Sequence, residues 1–370
     1  MPALHHAQAR QCIAVAMEAQ RLYVTGGDGE VAGLALFDSV RPDMDAAIAW
    51  LQSRTDAESA GLLVALADAI THTSEHRFDP PQRVALFEAQ VRAARITGDR
   101  LAECRALSNL GNVHYSMGDA RKALECHEKA MQISGETGTR REDGLDWACM
   151  GMAYSALGDA RLALMCYENQ LATVQKSGDR HGEGKAWGSV GSTHARLGDA
   201  GRALECYGRQ LTIMQETGDR RGEGIALANM GLSHTALGDA VRAIECHGKA
   251  LIICEENGDR RGEGLAWSSL GNAHADLGHS RRAVECFEKR VTIARETGDV
   301  RGEGSALFNT ATKLWELNAP GERDEALRRM AAAAEIFKGI GDPNAANART
   351  VLAQWGASKS MPESRSNVTL

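Results

Sequence analysis

The chain has 370 residues, of which 43% are hydrophobic and 25% charged, with only seven prolines; this is the composition of a helix-rich globular protein. A net charge of -7 excludes a general nucleic-acid binder, which carries an excess of Lys and Arg in a basic stripe. There is no apolar window of eighteen residues, and the N-terminus MPALHHAQARQ has no basic segment followed by an apolar one, so neither a membrane span nor a signal peptide is predicted.

In chain order, residues 5–23 and 43–55 are predicted as helices on either side of the loop Thr25-Gly26-Gly27-Asp28-Gly29, together an atypical helical cap over 1–59. A degenerate repeat follows from about 60 to 97, with Ile70, Phe87, Val91 and Gly98-Asp99 in register. One unit then recurs. Gly98, Gly138, Gly178, Gly218, Gly258 and Gly298 lie forty residues apart, as do Gly118, Gly158, Gly198, Gly238 and Gly278, the signature of a stacked array. Within a unit the i, i+3, i+4, i+7 rhythm of Leu227, Met230, Gly231 and His234 predicts helix A over about 220–237. The rhythm restarts at Ala243, Ile244, His247, Ala250 and Leu251 for helix B over about 240–256. Gly-Asp at both turns stops one helix with a left-handed glycine and caps the next with a carboxylate; Thr139 and His279 stand where Asp is replaced. Downstream, Asn318-Ala319-Pro320-Gly321-Glu322-Arg323 adds three residues to the last hairpin, and Asp342-Pro343 starts a capping helix. The expected organisation is therefore a cap over 1–59, an array of about seven helix pairs over 60–340, a capping helix over 341–356 and a disordered tail over 357–370.

Each column of the repeat has a structural reading. Gly111, Gly151, Gly191, Gly231 and Gly271 are expected to meet Ala123, Ala163, Ala203, Ala243 and Ala283 where the two helix backbones approach. Cys126, Cys166, Cys206, Cys246 and Cys286 are spaced too far apart for disulfides along the stack and contain no CxxC, so reduced structural thiols in a cytoplasmic protein are expected. His114, His194, His234 and His274 share a column with Tyr154 and are read as packing residues. Arg220-Arg221 with Glu223, and Arg260-Arg261 with Glu263, are read as solvated pairs in the first turn of helix A. No phosphate loop, HExxH or GxSxG is present, so no catalysis, no metal and no cofactor are expected.

The unit Leu227, Met230, Gly231, His234, Ala243, His247, Ala250 resembles the tetratricopeptide repeat, lengthened to forty residues. Its Gly258-Asp259-Arg260-Arg261-Gly262-Glu263-Gly264 and Asn109-Leu110-Gly111-Asn112 elements are similar to repeats of the Pins/LGN type of signalling modulator, of rapsyn and of bacterial signalling proteins. The resemblance implies an all-α, right-handed superhelical solenoid of antiparallel helix pairs. The C-terminal ASKSMPESRSNVTL contains no Gα-binding segment and no Cys follows Cys286, so the specific biology of those relatives is not expected.

In such arrays helix A lines the concave side. The resemblance therefore points to a peptide-binding stripe at Arg105, Asn109, Asn112, Lys185, Ser189, Arg196, Asn229, Ser269, Asn272 and Asn309, whose amides and hydroxyls suit a peptide backbone. Arg105, Lys185 and Arg196 favour a partner with acidic residues. A chaperone-tail clamp would need a Lys at position 108, which is Ser108. The expected function is a non-catalytic scaffold or adaptor that binds an extended peptide or protein segment in intracellular signalling. The alternative is a stand-alone sensor controlling a signalling ATPase or a transcriptional regulator. Neither nucleic acid nor membrane is expected as a partner.

Overall fold

A computed structural model of the chain describes residues 2–138 and 143–360; Thr139 and the last ten residues lie outside the described residues. All the regular structure described is α-helical, and no described helix is long and apolar enough to cross a membrane. The chain divides into two compact units, residues 1–179 and 180–370.

The first unit contains α1 (Pro2–Tyr23), α2 (Asp28–Gln52), α3 (Ala57–Ala69), α4 (Thr71–Arg77), α5 (Pro80–Thr97), α6 (Arg100–Ser116), α7 (Ala120–Thr137), α8 (Asp143–Ala156) and α9 (Ala160–Ser177). Its α2 starts fifteen residues before the expected 43 and passes through Pro42. Phe37 and Met44, one on each side of the proline and seven residues apart, are both fully buried, and α1 packs along α2. That packing outweighs the local cost of proline.

In the second unit, α10 (Arg180–Arg196), α11 (Ala200–Thr217), α12 (Arg220–Ala236), α13 (Ala240–Glu256), α14 (Arg260–Asp276), α15 (Ser280–Thr297), α16 (Val300–Leu317), α17 (Glu322–Gly339) and α18 (Asn344–Ser360) form consecutive packed pairs. The helix continues to Ser360, so residues 357–360 are helical rather than part of a disordered tail.

The turns follow the Gly-Asp reading. Gly218, for example, has φ +71, and the carboxylate of Asp219 accepts the Gly222 N–H at 2.8 Å. Asp239 and Asp259 cap α13 and α14 in the same way, at 3.1 and 2.8 Å. His279 makes no side-chain cap. Each cap contributes about 1 kcal/mol, which matters for helices too short to persist alone.

Two sequence expectations require correction. The nearest neighbours of the helix-A glycines are rings and not the alanine column: a Cβ on Gly231 would lie 2.5 Å from the His247 ring, and one on Gly271 would lie 2.5 Å from the Phe287 ring. Side chains lean toward their own helix N-terminus, so the ring four residues after the alanine covers the glycine. The Arg-Glu pairs are also more than local. Arg220 donates to Glu223 at 2.7 Å and to Glu256, at the end of α13, at 2.7 Å. Arg180 holds Glu183 at 2.5 Å and Glu216 at 2.7 Å, and Arg260 holds Glu263 and Glu296. Each arginine thus closes the first turn of helix A onto the last turn of its own helix B. Where the acceptor is exposed such a pair contributes little. Glu103, whose side chain is 4% exposed and which receives both Arg95 and Arg100, is the costlier one to remove.

One buried charge breaks the pattern in the first unit. Asp146 stands where other repeats have alanine, and its carboxylate lies 2.8 Å from His127 Nδ1 with both side chains buried. The cysteines, all free, sit on the packed faces of their helices. Burial pushes the Cys166 and Cys286 thiols up to about 11, away from the reactive thiolate.

Candidate functional site

Within the second unit, α12 and α14 are the A helices of successive repeats, and α13 lies behind them. Between them opens a cleft of about 770 Å³. Ile225, Ala228 and Leu232 from α12 and Leu265 from α14 form its apolar walls. Ile225, Leu232 and Leu265 are about half exposed, at 49%, 56% and 55%, so large apolar side chains face water here. Asn229 and Ser269 stand among them. Among the described residues, neither the Asn229 carboxamide nor the Ser269 hydroxyl is engaged.

Two helix-B columns explain why the cleft is at this level. At the α10–α12 level, Gln210 packs its carboxamide against Gly188, and Met214 packs against both Gly184 and Gly222. At the α14–α16 level, the buried Arg290 guanidinium lies against Gly264 and Gly302 and donates to Asp299. The intermediate level carries Ala250 and Cys254 at those two positions, and both line the cleft. Ala250 leaves unfilled the volume that Gln210 and Arg290 occupy on either side, and Cys254 is shorter than the Met214 of the preceding level. A smaller hollow of about 230 Å³ follows beside α16, α17 and α18, lined by Phe308, Asn309 and Asn347 among others.

The floor includes His247, which is 2% exposed and whose Nε2 has no hydrogen-bond partner among the described residues. Burial pushes its pKa down from 6.5 to about 4, so the ring is neutral at pH 7. The Cys254 thiol is raised above its ordinary value, first by burial and then by the Asp259 carboxylate.

At the mouth, Arg221 and Arg261 occupy equivalent positions in the first turns of α12 and α14. Both are exposed, and among the described residues no carboxylate lies within 4 Å of either guanidinium. Their sequence neighbours Arg220 and Arg260 each hold two glutamates. The Arg-Arg pairs therefore divide into one structural arginine and one that faces the cleft.

The expected stripe is distributed as follows. Asn229 and Ser269 share the cleft, and Asn309 lines the smaller hollow. Lys185 is exposed on α10, where the Ser189 hydroxyl returns to the Lys185 carbonyl at 3.3 Å. Arg196 ends α10, and Asn272 is exposed on α14. In the first unit, Arg105 donates to Asp68 at 2.7 Å, so a carboxylate of the fold already meets its charge. Asn112 accepts from the Cys149 thiol at 3.2 Å, and Asn109 lies half-buried on α6. Sequence reasoning missed Arg221, Arg261, His247, Ala250 and Cys254. The signal available for the last two was the contrast of Ala250 with Gln210 and Arg290 in one column.

Models of the tetratricopeptide repeat match residues 222–296 and 104–137; neither match distinguishes a Pins/LGN or rapsyn type. Among curated proteins no significant sequence match was found. The fold is similar to Aspartyl phosphate phosphatase F from Bacillus subtilis, with TM-score 0.56 and 11% identity over 96% of this chain and 94% of that one. It is also similar to a Rap protein complexed with Competence and Sporulation Factor, with TM-score 0.52 and 14% identity over 96% and 97%. A Signal Transduction ATPase with Numerous Domains from Pyrococcus horikoshii, which has a tetratricopeptide repeat sensor, aligns with TM-score 0.55 and 15% identity over 86% of this chain and 53% of that protein, about half its length. Residues 104–137 and 222–296 are thus tetratricopeptide repeats, and the α12–α14 cleft lies almost wholly within the second of these segments.

Proposed function

We propose that the chain is a non-catalytic protein-interaction module that takes an extended segment of a protein partner along its helix-A face, with the α12–α14 cleft as the anchoring point. The cleft carries this reading: about 770 Å³ open to solvent, walled by half-exposed Ile225, Leu232 and Leu265, with the side-chain polar groups of Asn229 and Ser269 unengaged among the described residues. An extended backbone can bond those groups while a side chain enters between the helices. The fold likeness to a Rap protein complexed with Competence and Sporulation Factor supports a binding role. The likeness to the sensor-bearing signalling ATPase supports a second reading, a sensor module that regulates an effector in intracellular signalling.

The test is affinity purification on the intact chain beside the variant Ile225→Glu/Asn229→Ala/Ser269→Ala. These side chains line the cleft surface, so folding is expected to be unchanged, and partners recovered by the parent chain should fall about tenfold or more on the variant. Equal recovery would place binding elsewhere on the molecule.

A further inference from the structure

Two arginines stand together at the mouth of the cleft on a chain that is acidic overall. The sequence carries a net charge of -7, and its structural arginines are matched by glutamates. Arg221 and Arg261 instead stand at the same position of two successive repeats, exposed, with no carboxylate within 4 Å among the described residues. Nearby acids limit this charge: Asp259, Glu263 and Glu255 all act on the Cys254 thiol in the cleft, with Glu263 held by Arg260. Asp259 lines the cleft, with one oxygen committed to the Gly262 N–H. Asp299 feels Arg261 at longer range, although its nearer partner is Arg290. The Arg221 and Arg261 guanidiniums themselves stand beside an apolar wall, where solvent screening is weaker than on an open surface.

We infer that the cleft selects an acidic partner segment, in which a bulky apolar side chain sits between Ile225, Leu232 and Leu265 and a flanking Asp or Glu carboxylate is held by Arg221 and Arg261. This rests on the docking role proposed above and specifies its ligand. The two guanidiniums, one from each of the helices that wall the cleft, present fork-shaped donors suited to a carboxylate. The same arrangement discriminates against a basic segment, which would bring like charge to both arginines.

The experiment uses the full chain with ¹³C-labelled Ile and Leu methyl groups, reading Ile225, Ile253, Leu232 and Leu265. The probes are three nine-residue peptides, capped at both ends, with a central phenylalanine flanked by two glutamates, two glutamines or two lysines. The glutamate peptide is expected to bind about tenfold tighter than the glutamine peptide, with the lysine peptide weakest, and the preference should shrink as salt is raised. Arg221→Gln/Arg261→Gln should abolish the preference, bringing the affinities of the glutamate and glutamine peptides together. Equal affinity for the glutamate and glutamine peptides would overturn the acidic selection and leave the docking role standing. No shift of these methyl groups with any peptide at millimolar concentration would overturn the docking role itself.

Discussion

His247→Phe removes a loss of stability of roughly 3 kcal/mol that the parent chain undergoes between about pH 6.5 and pH 4. The imidazole is 2% exposed beneath Gly231, and burial holds its pKa at about 4 instead of 6.5. Because the folded value lies below the unfolded one, the unfolded chain binds a proton in that window and the native chain does not. Stability from this residue is therefore complete above about pH 6.5 and declines as the pH falls toward the folded value. His114 and His274 are lowered by burial in the same direction, so the difference between parent and variant isolates His247. Phenylalanine fits the column, since Phe287 occupies the equivalent position. It also removes the orphaned Nε2, which should add about 1 kcal/mol at pH 7. Amide hydrogen exchange of α12–α14 at pH 7 and pH 4.5 reads the effect directly. Identical pH dependence in the two proteins would refute the assignment.

Two glycine-to-alanine changes in adjacent helix pairs should have opposite signs. At Gly271 the new methyl would lie 2.5 Å from Phe287 Cε1, and that ring is 1% exposed with nowhere to move. Overpacking is expected to cost about 2 kcal/mol, after the gain in helix propensity is counted. At Gly248, on α13, nothing lies within 4 Å of the added carbon, so only the propensity gain remains and the chain should be stabilised by about 0.8 kcal/mol. Urea titration of the two variants gives both signs. Stabilisation by Gly271→Ala would show that the glycine column does not exist to seat the rings.

Helix boundaries were legible because Gly-Asp carries its own physics: a left-handed glycine and a capping carboxylate need no tertiary context. The α12–α13 hairpin accordingly falls within a residue of the expected limits, at Arg220–Ala236 and Ala240–Glu256. Partner assignment between helices was less legible. Gly231 pairs with His247 rather than Ala243, because contact depends on where side chains lean and not on which small residues share a spacing. The site was half visible. Asn229 and Ser269 stood out as polar positions on helix A, whereas Arg221 and Arg261 looked like members of local ion pairs until their neighbours proved to hold the glutamates. Ala250 gave the weakest signal, since it acts by what it lacks. Its meaning depends on Gln210 and Arg290 filling the levels on either side.

That contrast supplies the most direct test of the account, which holds that the α12–α14 cleft anchors the partner. Ala250→Gln/Cys254→Met, combined with Ala228→Gly to reproduce the Gly188 against which Gln210 packs, places in this level the residues that fill the preceding one, so the variant should fold with an unchanged melting temperature. Titration calorimetry of parent and variant with a partner recovered by the intact chain should then show affinity reduced by about tenfold or more. Equal affinity in a folded variant whose cleft is filled would contradict the account.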